Sequence, residues 1–198
     1  MRPNYSQDAP PTAIAVGGAT YPADTDFRTW IQAVRMLGDF IPAAETPEHQ
    51  QHNAELMCEL QVLVFGGVLE DEDPTETLKA IADFAQGYPN APIAPSGRQN
   101  EPAYSFEYDL NYIILAIRNQ SGIDLSYRRK EPFHWWEFLL EFASLCGEHY
   151  ILRLMEIRGY RKDPEKPEQA KTRYALPRES SEGQAALLDD INAEFYGA

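Results

Sequence analysis

Residues 132–146 read PFHWWEFLLEFASLC. On a helix, Trp135, Phe138, Leu139 and Phe142 fall on one side, and Phe133, Trp136 and Leu140 on another. A helix apolar around so much of its circumference belongs at the buried centre of a helical domain. Pro132 stands where a helix opens without the N–H that proline lacks. Adjacent helix positions point about 100° apart, so Trp135 and Trp136 cannot face one surface. Core packing accounts for at least one of them. The alternative for the other is an aromatic anchor shown to a partner, since tryptophan is enriched among binding hot spots.

Working outward, a helix starting near Ser105 carries Phe106, Leu110, Ile113, Ile114 and Ile117 on one side and ends around Ser121-Gly122. Ile123-Asp124-Leu125 and a basic patch, Arg128, Arg129 and Lys130, lead into the central helix. A last helix carries Ile151, Leu154 and Met155 and stops at Gly159. Upstream, residues 87–104 read GYPNAPIAPSGRQNEPAY, whose four prolines and two glycines forbid a long helix and mark the best boundary in the chain. Before it, Ile14-Ala15-Val16 and Ala19-Thr20-Tyr21 flank Gly17-Gly18 as a small hairpin. Asp24 or Thr25 then caps a helix with an apolar stripe of Phe27, Trp30, Ile31, Val34 and Leu37. Thr46-Pro47 opens a second helix that runs to Gly66-Gly67, and Asp73-Pro74-Thr75-Glu76 opens a third that ends at Gly87. The expectation is a mainly α protein of small helical bundles with a minor N-terminal β-hairpin and a poorly ordered C-terminal tail. It divides into 12–88, a proline-rich linker 89–103, 104–161 and the polar tail 162–198, which closes on an amphipathic stretch with Leu187, Ile191 and Phe195.

The formal charge of −14 is uneven, with 5 basic and 17 acidic side chains in residues 1–110. Such a surface repels phosphate backbones, which argues against nucleic-acid partners; solubility is the simplest use for it. Two cysteines make no disulfide framework and fit a reducing compartment. No signal-peptide layout and no bilayer-length apolar run is present, so the expected location is the cytoplasm of a cell, without membrane partners.

No combination of residues makes a convincing catalytic or metal centre. Cys146 and His149 lie near each other, but His49, His52 and Cys58 add no zinc-like spacing, and a buried free cysteine explains Cys146. Glu70-Asp71-Glu72-Asp73 lacks the ligand alternation of a calcium loop and reads as a solvated, helix-opening run. Neither glycine pair fits a phosphate-loop pattern. The chain is expected to be no enzyme and to use no cofactor.

Two stretches carry a resemblance. One is YPADTDFRTW, Tyr21 to Trp30; the other runs from Tyr104 to Arg161 through SFEYDLNYIILAI, SGIDL, HWWEF and EIRGYR, with Tyr174-Ala175-Leu176-Pro177 beyond. In order and spacing these resemble the tail-assembly chaperones of long-tailed phages of Gram-positive bacteria (the bacteriophage Gp15 type, encoded next to the tape measure protein). The resemblance covers roughly residues 12–177; Asp163 to Arg173 is poorer in positive charge than the lysine-rich helix usual there. It implies a non-enzymatic protein that binds the tape measure protein during tail morphogenesis and helps recruit tail tube subunits. A companion chaperone and self-association on the tape measure belong to the same picture, and so does absence from the finished virion. The motif positions it singles out for interaction are Asp26, Phe27, Arg28, Trp30, Asp109, Asp124, His134, Trp135, Trp136, Gly159, Tyr160 and Arg161. Arg128, Arg129, Lys130, Leu187, Ile191 and Phe195 are secondary contacts. The alternatives are a structural head or tail completion protein retained in the virion and, from charge alone, an acidic DNA-mimic inhibitor.

Overall fold

A computed structural model of the chain describes residues 8–42, 44–88, 103–127, 129–159 and 175. The described residues form one antiparallel hairpin and six helices, a mainly α fold as expected. The chain divides into two compact units, Met1–Ala91 with Glu131–Leu139, and Pro92–Lys130 with Leu140–Ala198.

In the first unit, β1 (Ala13–Val16) pairs with β2 (Ala19–Pro22). Gly17 and Gly18 turn the chain with φ of 56° and 89°, the left-handed geometry that a two-residue hairpin turn requires. A Cβ on Gly17 would meet the Glu72 carboxylate, the movable end of a flexible side chain, so the positive φ is the firmer reason for glycine there. Glu72 accepts a hydrogen bond from the Tyr21 hydroxyl, which raises that phenol above its ordinary pKa. The acidic run is therefore partly tied to the hairpin rather than wholly solvated. Strand alternation turns Ile14 and Val16 to the same face, and both are buried where β1 packs on a helix of this unit, α3 (Pro74–Ala85).

Helix α1 (Phe27–Gly38) is capped by Asp26, not by Asp24 or Thr25. The reason is tertiary. Asp24 sends its N–H to Val64 O and accepts the Asp26 N–H at Oδ1, while Thr25 O accepts the Trp135 N–H. Of the expected stripe, Phe27, Trp30 and Leu37 are buried and Ala33 joins them, whereas Ile31 and Val34 are half-buried. Helix α2 (Pro47–Phe65) begins at Thr46-Pro47 and ends on Gly66 in the left-handed conformation. At the start of α3, the Asp73 side chain accepts the N–H groups of Thr75 and Glu76. Helix α1 packs against both α2 and α3.

In the second unit, α4 (Phe106–Ser121) starts at Ser105 and stops at Gly122, and packs on α6 (Tyr150–Gly159). Ile113, Ala116 and Ile117 are buried on α4; Ile151, Leu154 and Met155 are buried on α6. Helix α5 (Trp135–Ala143), whose residues up to Leu139 belong to the first unit, is shorter than the sequence pattern implies. Pro132 does not open it, because His134 is held in a bridge with Asp26 before the helix begins. At its other end the helix is over before Cys146, which is exposed and not the buried thiol expected; Cys58 is exposed too. All of the proline-rich linker but Ala103, and the terminal segment with Leu187, Ile191 and Phe195, lie outside the described residues.

Candidate interaction surface

The two motifs meet in the first unit. Phe27 N–H donates to Phe133 O at 2.9 Å and Trp135 N–H to Thr25 O at 2.8 Å, an antiparallel bridge centred on Asp26 and His134. The Asp26 carboxylate accepts the Arg28 N–H at 2.9 Å, capping α1, and holds the Arg28 guanidinium at 3.0 Å. It also takes the Phe133 N–H at 3.2 Å. One side chain thus satisfies donors from both ends of the motif, which explains why an acceptor with two oxygens stands there. Above it, Phe27 stacks on Phe138 and Trp30 on Phe84, with Trp30 fully buried.

His134 does for α5 what Asp26 does for α1. Its Nδ1 accepts the Trp136 N–H at 3.0 Å, and its Nε2 lies 2.9 Å from Pro11 O. A carbonyl only accepts, so Nε2 carries the proton and the ring is neutral. Both tryptophans then serve α3: Trp135 Nε1 donates to Ala85 O and Trp136 Nε1 to Phe84 O, each at 2.8 Å. Both carbonyls lie in the last turn of the helix, where regular helical bonding runs out; Phe84 O also accepts the Gly87 N–H at 3.1 Å. Both indoles are buried, so neither Trp135 nor Trp136 stands out as a surface anchor. Desolvation lowers the His134 pKa below 6.5, against the opposing pull of Pro11 O and Glu137. A group with a lowered folded-state pKa contributes stability above its unfolded value and loses it as pH falls through the folded one. Thermal unfolding is therefore expected to shift down as the pH goes from about 7 to about 5, and less so in His134→Asn, whose amide oxygen still caps the helix without titrating. An equal shift in both proteins would contradict this assignment.

A second cluster lies in the other unit. Asp109, almost wholly buried, accepts the Ser105 N–H at 2.9 Å and pairs with Arg158 at 2.5 and 3.2 Å. This joins the first turn of α4 to the last turn of α6, where Gly159 follows. Asp124 is half-buried and accepts the Ser126 N–H in a local turn. Of the basic patch, Lys130 is exposed and Arg129 half-buried. Arg128, Tyr160, Arg161, Leu187, Ile191 and Phe195 lie outside the described residues.

The second unit also exposes an apolar row. Tyr108 is 44% exposed, Tyr112 42% and Leu115 43%, at positions i, i+4 and i+7 of α4. Tyr150, 48% exposed at the start of α6, extends the row, its ring 4.9 Å from that of Tyr112. None of these four is among the motif positions singled out from the sequence. The signal was present, since their spacing is helical, but the opposite face of α4 carries the isoleucines, which are more hydrophobic than tyrosine, and claims the reading first. In the first unit Val62 and Val68 are also exposed.

A protein-family model described as bacteriophage Gp15 protein matches residues 7–180. The chain belongs to that family. The match takes in both motifs, the hairpin and all six helices of the Gp15-type chain described above, and it ends before Leu187. No curated protein and no solved structure matched the chain in the corresponding comparisons. Among its described residues, no three His, Cys, Asp or Glu side chains gather as a cation site would need. No described helix is long and apolar enough to cross a membrane.

Proposed function

We propose that this Gp15-type protein is a non-enzymatic tail-assembly chaperone that binds the tape measure protein transiently and helps bring tail tube subunits to it. The observation that carries the reading is the row of Tyr108, Tyr112, Leu115 and Tyr150 left at the surface of an acidic chain. Apolar side chains at helical spacing meet the apolar face of a partner helix, and a tape measure protein is a long coiled helix that needs such cover. The excess negative charge favours solubility of the complex and disfavours nucleic acid as the partner. The motif residues support the same reading indirectly: Asp26, His134, Trp135, Trp136 and Asp109 are engaged within the chain, in caps, carbonyl bonds and an ion pair. They are accounted for without any chemistry on a substrate.

The test is co-expression with the tape measure protein encoded beside it. The expected result is that the tape measure protein becomes soluble and co-purifies, and that purified virions lack the chain. An insoluble tape measure protein, together with the chain present in virions, would instead make it a structural completion component.

A further inference from the structure

From the exposed row on α4 and α6 we infer a docking site for a single amphipathic helix that presents branched alkyl side chains at heptad spacing. The steps between Tyr108, Tyr112 and Leu115 are four and then three residues. That alternation is the seam along which two helices pack at a shallow angle with side chains interleaved. Tyr150 widens the row, because its edge-on contact with Tyr112 carries the apolar surface from α4 onto α6.

Area argues for one helix rather than a second copy of the chain. Four side chains a little under half exposed offer roughly 350–400 Å², within the range of functional surface patches. A stable protein–protein interface needs about 800 Å² from each partner, about twice that. Charge argues for an orientation. Glu107 and Arg118, both exposed, stand at opposite ends of the row. The occupant therefore carries basic residues toward the start of α4 and acidic ones toward its end. Tyrosine suits a site that is covered and uncovered in turn, since the ring supplies apolar area while the hydroxyl tolerates water.

Only the name of the natural occupant rests on the chaperone reading; the site itself does not. The experiment therefore has two arms, each with the full-length chain and its Tyr108→Ser/Tyr112→Ser/Leu115→Ser variant, the fold of both checked by circular dichroism. In the first, a designed fluorescent peptide of about three leucine heptads, basic at one end and acidic at the other, is titrated by anisotropy. Binding by the wild type, weakened about tenfold or more in the variant, is expected. Equal binding by both, or none by either, overturns the inference. If the triple variant fails to fold, Tyr112→Lys alone is read in the same way. In the second arm, both proteins are co-expressed with the tape measure protein. Peptide binding without tape measure capture sinks the chaperone reading and leaves the site standing, whereas capture by both proteins alike sinks the site. A wild type that sediments as a dimer, and a variant that sediments as a monomer, would make a second copy the occupant and overturn the single-helix assignment.

Discussion

Asp109→Ala is expected to destabilise the second unit by about 3–5 kcal/mol, the usual cost of removing one partner of a buried ion pair. The Asp109 and Arg158 side chains are 2% and 9% exposed, so water does little to replace the lost carboxylate. Two further losses come with it. The Ser105 N–H loses its acceptor at the start of α4, and the only ion pair found among the described residues between α4 and α6 disappears. Since a domain of this size is held by about 5–15 kcal/mol in all, the variant should unfold at a much lower urea concentration. The double variant Asp109→Ala/Arg158→Met should recover part of the loss, because an apolar pair needs no counter-charge. A single variant as stable as the wild type would show that the pair contributes nothing.

Trp135→Ala is expected to cost about as much, roughly 3–5 kcal/mol, as truncations of large buried aromatics do. The side chain is 1% exposed and stacked against Phe138. Its loss opens a cavity and leaves Ala85 O without the indole donor at the end of α3. Trp135→Phe separates the two causes, since it keeps most of the volume and removes only the donor; a smaller loss of about 1–3 kcal/mol follows from the buried carbonyl. Urea unfolding followed by near-ultraviolet circular dichroism reads both. If Trp135→Ala were neutral in stability but abolished partner binding, the residue would be a surface anchor after all, and the packing described here would be wrong.

The parts of the fold legible in sequence are those whose chemistry is local. Thr46-Pro47, Asp73-Pro74 and Ser105 each satisfy helix N–H groups within a few residues, and Gly66 and Gly122 adopt the left-handed stop that side chains resist. Gly17-Gly18 makes the hairpin for the same local reason. The return of residues 131–139 to the first unit has no such signal. It depends on Asp26 and Phe133, 107 positions apart, and on an extended backbone at His134 that overrides what Pro132 suggests about helix entry. The same distance hid the roles of the motif residues. Asp26, His134, Trp135 and Trp136 were conspicuous by type, but a cap on one helix and carbonyl partners on another become visible only when the elements are together. Asp109 was marked by its motif and not by its burial, because an acidic residue in the first turn of a helix is ordinarily a solvated one. The exposed row on α4 was legible in spacing alone, and only the burial of the opposite face separates it from the core.

The most direct test of the account is hydrogen–deuterium exchange on the full chain, free and bound to the tape measure protein. The account predicts new protection along α4, Phe106–Ser121, and at the start of α6, Tyr150–Gly159, with residues 26–30 and 133–136 unchanged. Protection confined to the Asp26–His134 bridge, with α4 and α6 exchanging as they do in the free chain, would contradict it.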